Sequence, residues 1–116
     1  MAALSLRFAP RARRQLNDIL QFIALDNPDA AATVASHVEA LLEHTRSFPD
    51  MGRVVLEGLP HREVTAYPSR IIYRHTETLV WVVAVLRVEQ LLRHEMLIDN
   101  QKVPWELAWK SPVRTY

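Results

Sequence analysis

The stretch Ser69–Arg87, SRIIYRHTETLVWVVAVLR, decides how this chain folds. Residues 69–75 and 79–87 are rich in β-branched and aromatic side chains, the composition that suits a pleated, half-buried surface. From Leu79 to Leu86 no polar residue intervenes, which marks a central strand buried on both faces. The connection between the two runs, HTET at 75–78, is short enough for a hairpin, although it lacks the usual Gly or Asn-Gly signal. A third strand is expected at about 61–66. Arginines stud this apolar block, at Arg62, Arg70, Arg74 and Arg87, and they pose the functional question.

Working outward, LSLRF at 4–8 alternates Leu4, Leu6 and Phe8 against Ser5 and Arg7, the pattern of a half-buried strand. Pro10 suits the first turn of a helix, where its missing N–H costs nothing. Beyond it, Ala12, Leu16, Ile19, Leu20 and Ile23 recur at helical spacing. Asn27 then serves as an N-cap, Pro28 as the first helical residue, and Asp29 complements the new helix dipole. A second helix carries Ala31, Val34, Val38, Leu41, Leu42 and Thr45 on one face and runs to about Ser47. The short joint predicts an antiparallel helical hairpin. FPDMGR at 48–53 ends it, with Pro49 blocking continuation and Gly52 permitting a turn. After the last strand, Val88, Leu91, Leu92 and Met96 suggest a short third helix.

The order is therefore β-αα-βββ-(α), an α+β fold. A small, mainly antiparallel sheet with the N-terminal helical hairpin on one face lets each layer cover the other's apolar side. Residues 1–98 read as one domain. Residues 99–116, a tail with Trp105 and Trp109, fit no strong pattern.

Composition narrows the function. Hydrophobic residues make up 49% of the chain and charged residues 23%, a globular balance rather than a disordered one. With Lys plus Arg at 14 and Asp plus Glu at 13, net charge argues for no attraction to nucleic acid or membrane. Twelve of the fourteen basic residues are arginine, whose planar fork suits carboxylate or phosphate. A biased genome would give the same preference with no function attached. The chain has no cysteine, which excludes disulfides and thiolate chemistry and fits a reducing cytoplasm. Its longest apolar run is too short to span a bilayer as a helix.

Candidate chemistry is sparse. His37, His44, His61, His75 and His94 form no ligand pair at metal-binding spacing, so neither a metal nor a cofactor is expected. No serine sits in a nucleophile elbow. Glu63 beside Arg62 reads more simply as a solvated pair on an edge strand than as a catalytic acid. Arg70 and Arg74, four apart on a strand, share one face. Together with Arg62 and Arg87 they would suit an RNA phosphate or the carboxylates of a partner peptide. Charges that keep a sheet from aggregating would look the same.

The pattern as a whole resembles the RelE/ParE superfamily of bacterial toxins. Four segments carry the resemblance in order: LNDILQFIALDNPDAAA at 16–32, PDMGR at 49–53, the Arg62-Glu63 pair, and SRIIYR at 69–74. Such a toxin is silenced by a cognate antitoxin, a small acidic protein whose N-terminal part binds DNA, and the two form a hetero-oligomer. RelE-like members cleave ribosome-bound mRNA without metal, using clustered basic residues. ParE-like members inhibit DNA gyrase, and such pairs act in plasmid stabilization.

By this resemblance Arg70 matches the strand arginine of both branches, and Arg62 and Glu63 match the pair typical of the ParE side. Arg87 lies near a basic position of cleaving members, and His94 is a stand-in for their terminal acid. Arg70, Arg87 and His94 are thus the candidates for catalysis, and Arg62, Glu63, Arg70, Arg74 and Arg87 for binding antitoxin or target. VEQLLRHEM at 88–96 departs from the family, with Val88 and Glu89 where a nuclease requires positive charge. The implied function is a cytoplasmic ParE-like toxin that inhibits gyrase. The alternatives are a RelE-like nuclease and a degenerate toxin that still binds antitoxin.

Overall fold

The structure, a computed structural model, describes residues 3–93, 96 and 97. Strand β1 (Ser5–Phe8) leads into helices α1 (Pro10–Asp26) and α2 (Pro28–Ser47). Strands β2 (Arg53–Val54), β3 (Arg62–Ala66), β4 (Ser69–His75) and β5 (Leu79–Arg87) follow. They form one sheet in the order β1-β5-β4-β3-β2. The sheet is antiparallel except where β1 joins β5 in parallel, Ser5 opposite Leu79 and Phe8 opposite Val82. The α+β expectation holds, with two helices laid on a sheet whose central strand is β5.

Local chemistry explains each boundary. Pro10 opens α1, and the Asn27 side chain accepts the Ala30 N–H at 3.0 Å to cap α2, with Pro28 next. In the β4–β5 hairpin the Thr76 hydroxyl accepts the N–H groups of Thr78 and Leu79, at 3.1 and 3.0 Å. Those bonds do the work that a glycine turn does elsewhere. The β3–β4 hairpin turns at Tyr67-Pro68 and sets the register Ala66 to Ser69, Thr65 to Arg70 and Glu63 to Ile72. Between Ile72 and Tyr73 the pairing to β5 skips Val83, a bulge.

The helices cover one face. Leu6 and Phe8 of β1 and Leu16, Leu20, Val38 and Leu42 of the helices line a common cavity. Every residue from Leu79 to Leu86 is buried, as an uninterrupted apolar strand requires. Val55, Leu56, Leu59, Leu92 and Met96 also pack against the core.

Beyond β5 the expected third helix is not present over Val88–Arg93. Gln90 donates its N–H back to the Arg87 carbonyl at 2.9 Å, and its side-chain oxygen accepts the Arg87 N–H at 2.8 Å. The chain turns there instead of winding on. His94, Glu95 and the tail 99–116 lie outside the described residues.

Candidate functional site

Strand alternation divides the arginines that the sequence suggested as a cluster. In β3 and β4, Glu63, Arg70, Ile72 and Arg74 share the face opposite the helices, whereas Arg62, Tyr73 and His75 point to the helical side. Arg87 also lies on the helical side, over the ring of Phe22 in α1 at 5.7 Å. The four divide two and two, Arg70 and Arg74 on the face opposite the helices and Arg62 and Arg87 on the helical side.

Arg62, Tyr73 and His75 clamp the loop that follows α2. Arg62 donates to the carbonyls of Asp50 and Gly52, at 3.1 and 2.7 Å. The Tyr73 hydroxyl donates to Pro49 O at 2.6 Å and accepts the Gly52 N–H at 3.1 Å. Burial raises the pKa of Tyr73, partly offset by the Gly52 bond, so the phenol stays protonated and able to donate. His75 sets one ring nitrogen against Thr76 O and the other 2.7 Å from an Asp50 carboxylate oxygen. The glycine in PDMGR is required here: a Cβ on Gly52 would lie 2.7 Å from the Tyr73 hydroxyl and 2.9 Å from Glu63 O.

The opposite face holds an ion cluster that the sequence did not announce. Glu63 is no solvated edge residue, since its side chain is only 4% exposed. Arg70 Nε lies 2.6 Å from one carboxylate oxygen and Arg53 Nε 2.9 Å from the other. Arg70, 14% exposed, also donates to the Gln90 carbonyl at 2.6 Å. Arg62, the sequence neighbour of Glu63, makes no part of this cluster, because adjacent strand residues face opposite ways. The register could have shown it: a tight turn at Tyr67-Pro68 puts Glu63 diagonally beside Arg70. Arg53 was missed because a two-residue strand leaves no periodic signal.

Such an arrangement occupies both members in advance. Each oxygen of the Glu63 carboxylate already accepts from a guanidinium, and Arg70 has donors engaged by Glu63 and by the Gln90 carbonyl. Arg87, beside its place over Phe22, has a long ion pair with Glu89, 3.5 Å, and half of it is exposed. Among the described residues no group of three or more His, Cys, Asp or Glu could hold a metal ion.

A second feature lies along α1. Phe22 and Leu25 are exposed, at 64% and 82%, and Leu91 beyond β5 is 77% exposed. Gln15, Asp18, Ile19, Phe22, Val85 and Arg87 line a cleft of about 280 Å³ between the helix and β5. There the Gln15 side chain accepts the Val85 N–H at 2.8 Å, satisfying the strand edge beyond the reach of β1.

Known proteins share this architecture. Among solved structures, the chain is similar to the chromosomal ParDE toxin–antitoxin system of P. aeruginosa, at 18% identity and a TM-score of 0.62. That match covers 75% of this chain and 98% of the other. It is also similar to the RelBE2 toxin–antitoxin complex of Mycobacterium tuberculosis, at 22% identity and a TM-score of 0.54, covering 74% and 99% of the two chains. At such identities these likenesses speak for the fold alone. A search of curated proteins finds no match. The family model for the ParE toxin of type II toxin–antitoxin systems, parDE, matches residues 6–92. With that match over most of its length, the chain belongs to the ParE toxin family, within the RelE/ParE superfamily.

Proposed function

We propose that this toxin inhibits DNA gyrase through a contact surface and is held silent by a cognate antitoxin. The observation that carries this reading is the state of Arg70 and Glu63. Metal-independent RNA cleavage requires a base for the 2′-hydroxyl, an acid for the leaving oxygen and positive charge on the phosphate. Glu63 is locked between Arg53 and Arg70, and Arg70 is spent on Glu63 and Gln90, so the strand pair supplies neither base nor free charge. Inhibition by contact needs no such set. Exposed Phe22, Leu25 and Leu91 offer the apolar anchors that interfaces use.

The antitoxin in this reading is a small acidic protein, encoded beside the toxin and bound to it as a hetero-oligomer. The ParDE and RelBE2 structures described above are of toxin–antitoxin systems, which supports such a partner. Gyrase places the action in the cytoplasm, and among the described residues no helix is long and apolar enough to cross a membrane. A pair of this kind carried on a plasmid would stabilise its inheritance.

Expression in a bacterial host tests the reading. Replication should stall and DNA damage accumulate while ribosome-bound mRNA stays intact, and the product of the adjacent reading frame should restore growth. Codon-specific cuts in ribosome-bound mRNA, abolished by Arg70→Ala, would replace gyrase with the ribosome. A chain that harms neither process would be the degenerate toxin.

A further inference from the structure

Both ring nitrogens of His75 face acceptors. One lies 2.9 Å from the Thr76 carbonyl oxygen and the other 2.7 Å from a carboxylate oxygen of Asp50. A carbonyl can only accept, and so can a carboxylate, whereas a neutral imidazole carries a single N–H. A neutral ring would therefore make one of these bonds and turn a lone pair toward the other oxygen. Filling both takes one proton more than a neutral imidazole and a carboxylate hold between them. With that proton the Asp50 contact becomes a charge-assisted hydrogen bond. The His75 side chain is only 10% exposed, so water is poorly placed to replace a lost partner.

The charged and titratable groups around this contact come from β3, β4 and the turn after it. Arg62 of β3 sets its Nε 3.7 Å from the same Asp50 oxygen. Tyr73, two residues before His75 on the same face of β4, grips Pro49 and Gly52. Glu77 follows in the turn and is exposed. Arg62 and Tyr73 hold the loop by its backbone, at the carbonyls of Pro49, Asp50 and Gly52 and the Gly52 N–H. His75 holds it by the Asp50 side chain. The held segment turns an apolar set outward, since Phe48, Met51 and, just beyond, Val54 are exposed. Such side chains serve an interface best when the segment that carries them is already fixed, because ordering it on contact costs affinity.

We propose that His75 and Asp50 form a proton-dependent latch on the loop 48–52. The latch fixes Phe48 and Met51 beside Val54 as a contact patch while the pair carries the extra proton, and it loosens the loop when that proton leaves. The sign follows from the donors. Removing the proton sets a ring lone pair against an oxygen, so the tie is present on the acidic side of the pair's titration and is lost as pH rises through it. Arg62 and Tyr73 keep the loop backbone attached, so the change stays local and the fold persists. Contact at the patch is thereby favoured in acid. The latch involves none of Phe22, Leu25 and Leu91 and does not depend on what the toxin inhibits.

NMR and hydrogen exchange on the full-length chain test this together. The ring nitrogens of His75 are titrated by NMR, and exchange of the Met51 and Gly52 amides, corrected for its intrinsic pH dependence, is followed over the same range. Met51 donates its amide to Phe48 O and Gly52 donates to the Tyr73 hydroxyl, so both report on the loop. On the acidic side both ring nitrogens should carry protons. Protection of the two amides should fall about tenfold as the proton leaves, the worth of one charge-assisted hydrogen bond. Asp50→Asn is the discriminating variant. Asp50 is exposed, so the change spares the core, and the new amide can donate to a neutral ring. In that chain protection should no longer fall as the ring titrates. Three results would overturn the proposal: loop amides whose protection is unchanged across the parent's His75 titration, a ring that keeps a single N–H throughout, or a fall of the same size in Asp50→Asn.

Discussion

The two faces of the sheet are built on opposite principles. Toward the helices, Val38 and Leu42 from α2 and Leu16 and Ile19 from α1 meet apolar strand residues such as Val80 and Val82. These apolar contacts need no particular partner, because dispersion and burial are non-directional. The directional contacts on this side include the Arg62, Tyr73 and His75 clamp on the 49–52 loop. On the other face, Arg53, Glu63 and Arg70 depend on individual nitrogen–oxygen contacts. The apolar contacts tolerate any well-fitting side chain, whereas the buried Glu63–Arg70 pair does not tolerate the loss of one partner. The comparison teaches that a strand arginine in this fold cannot be assigned a function from position alone. Its partner within the fold must first be counted.

The largest effect should come from the forgiving face when its volume is removed. Ile71 is fully buried and Leu42 nearly so. Ile71→Ala should cost about 4 kcal/mol and Leu42→Ala about 3 kcal/mol in chemical denaturation, through lost transfer energy plus the cavity left behind. Ile71→Val should cost only about 1 kcal/mol. Equal losses for Val and Ala at this position would break the contrast, since packing would then not be the governing term.

On the charged face, Glu63→Ala should cost about 3 kcal/mol, nearly all of it from leaving Arg70 without its anion. Arg53→Ala, at the other oxygen of the same carboxylate, should cost under about 1 kcal/mol, because Arg53 is 73% exposed and water replaces its contact. Similar losses at Arg53 and Glu63 would show that the cluster is governed by surface charge instead of burial.

Smaller effects sharpen the boundaries between the regions. Gly52→Ala drives a methyl against Tyr73 and the Glu63 carbonyl, where backbone cannot yield, and should cost about 2 kcal/mol by thermal denaturation. Asn27→Ala removes only the N-cap of α2 and should cost about 1 kcal/mol. If Gly52→Ala were neutral, the loop at 48–52 would not be pressed on the sheet as described.

The same contrast explains what could be read from the sequence. The helical hairpin was legible because Pro10 and Asn27-Pro28 punctuate it and its apolar residues keep a 3.6 period. The three long strands were legible from alternation and from the unbroken run at 79–86. The third helix failed because Val88, Leu91 and Leu92 mimic helical spacing, while Gln90 is drawn into the turn by Arg87 and Arg70. Among the site residues, Arg70 and Arg74 were placed on one face correctly by parity. Arg62 and Glu63, adjacent in sequence, read as a solvated pair, but neighbouring strand residues face opposite ways and Glu63 is buried. The ion cluster joins residues ten and seven apart through two hairpins, and no local signal encodes that.

The central claim is that Arg70 and Glu63 are bound to each other before any target arrives. A double-mutant cycle on folding stability, using Glu63→Gln, Arg70→Gln and the pair, measures this directly. A coupling of about 2 kcal/mol or more is expected, because each single change strands a buried charge that the double change removes. Additive losses, with coupling within about 0.5 kcal/mol of zero, would mean that Arg70 is free to act on a substrate, and the contact-inhibitor account would lose its footing.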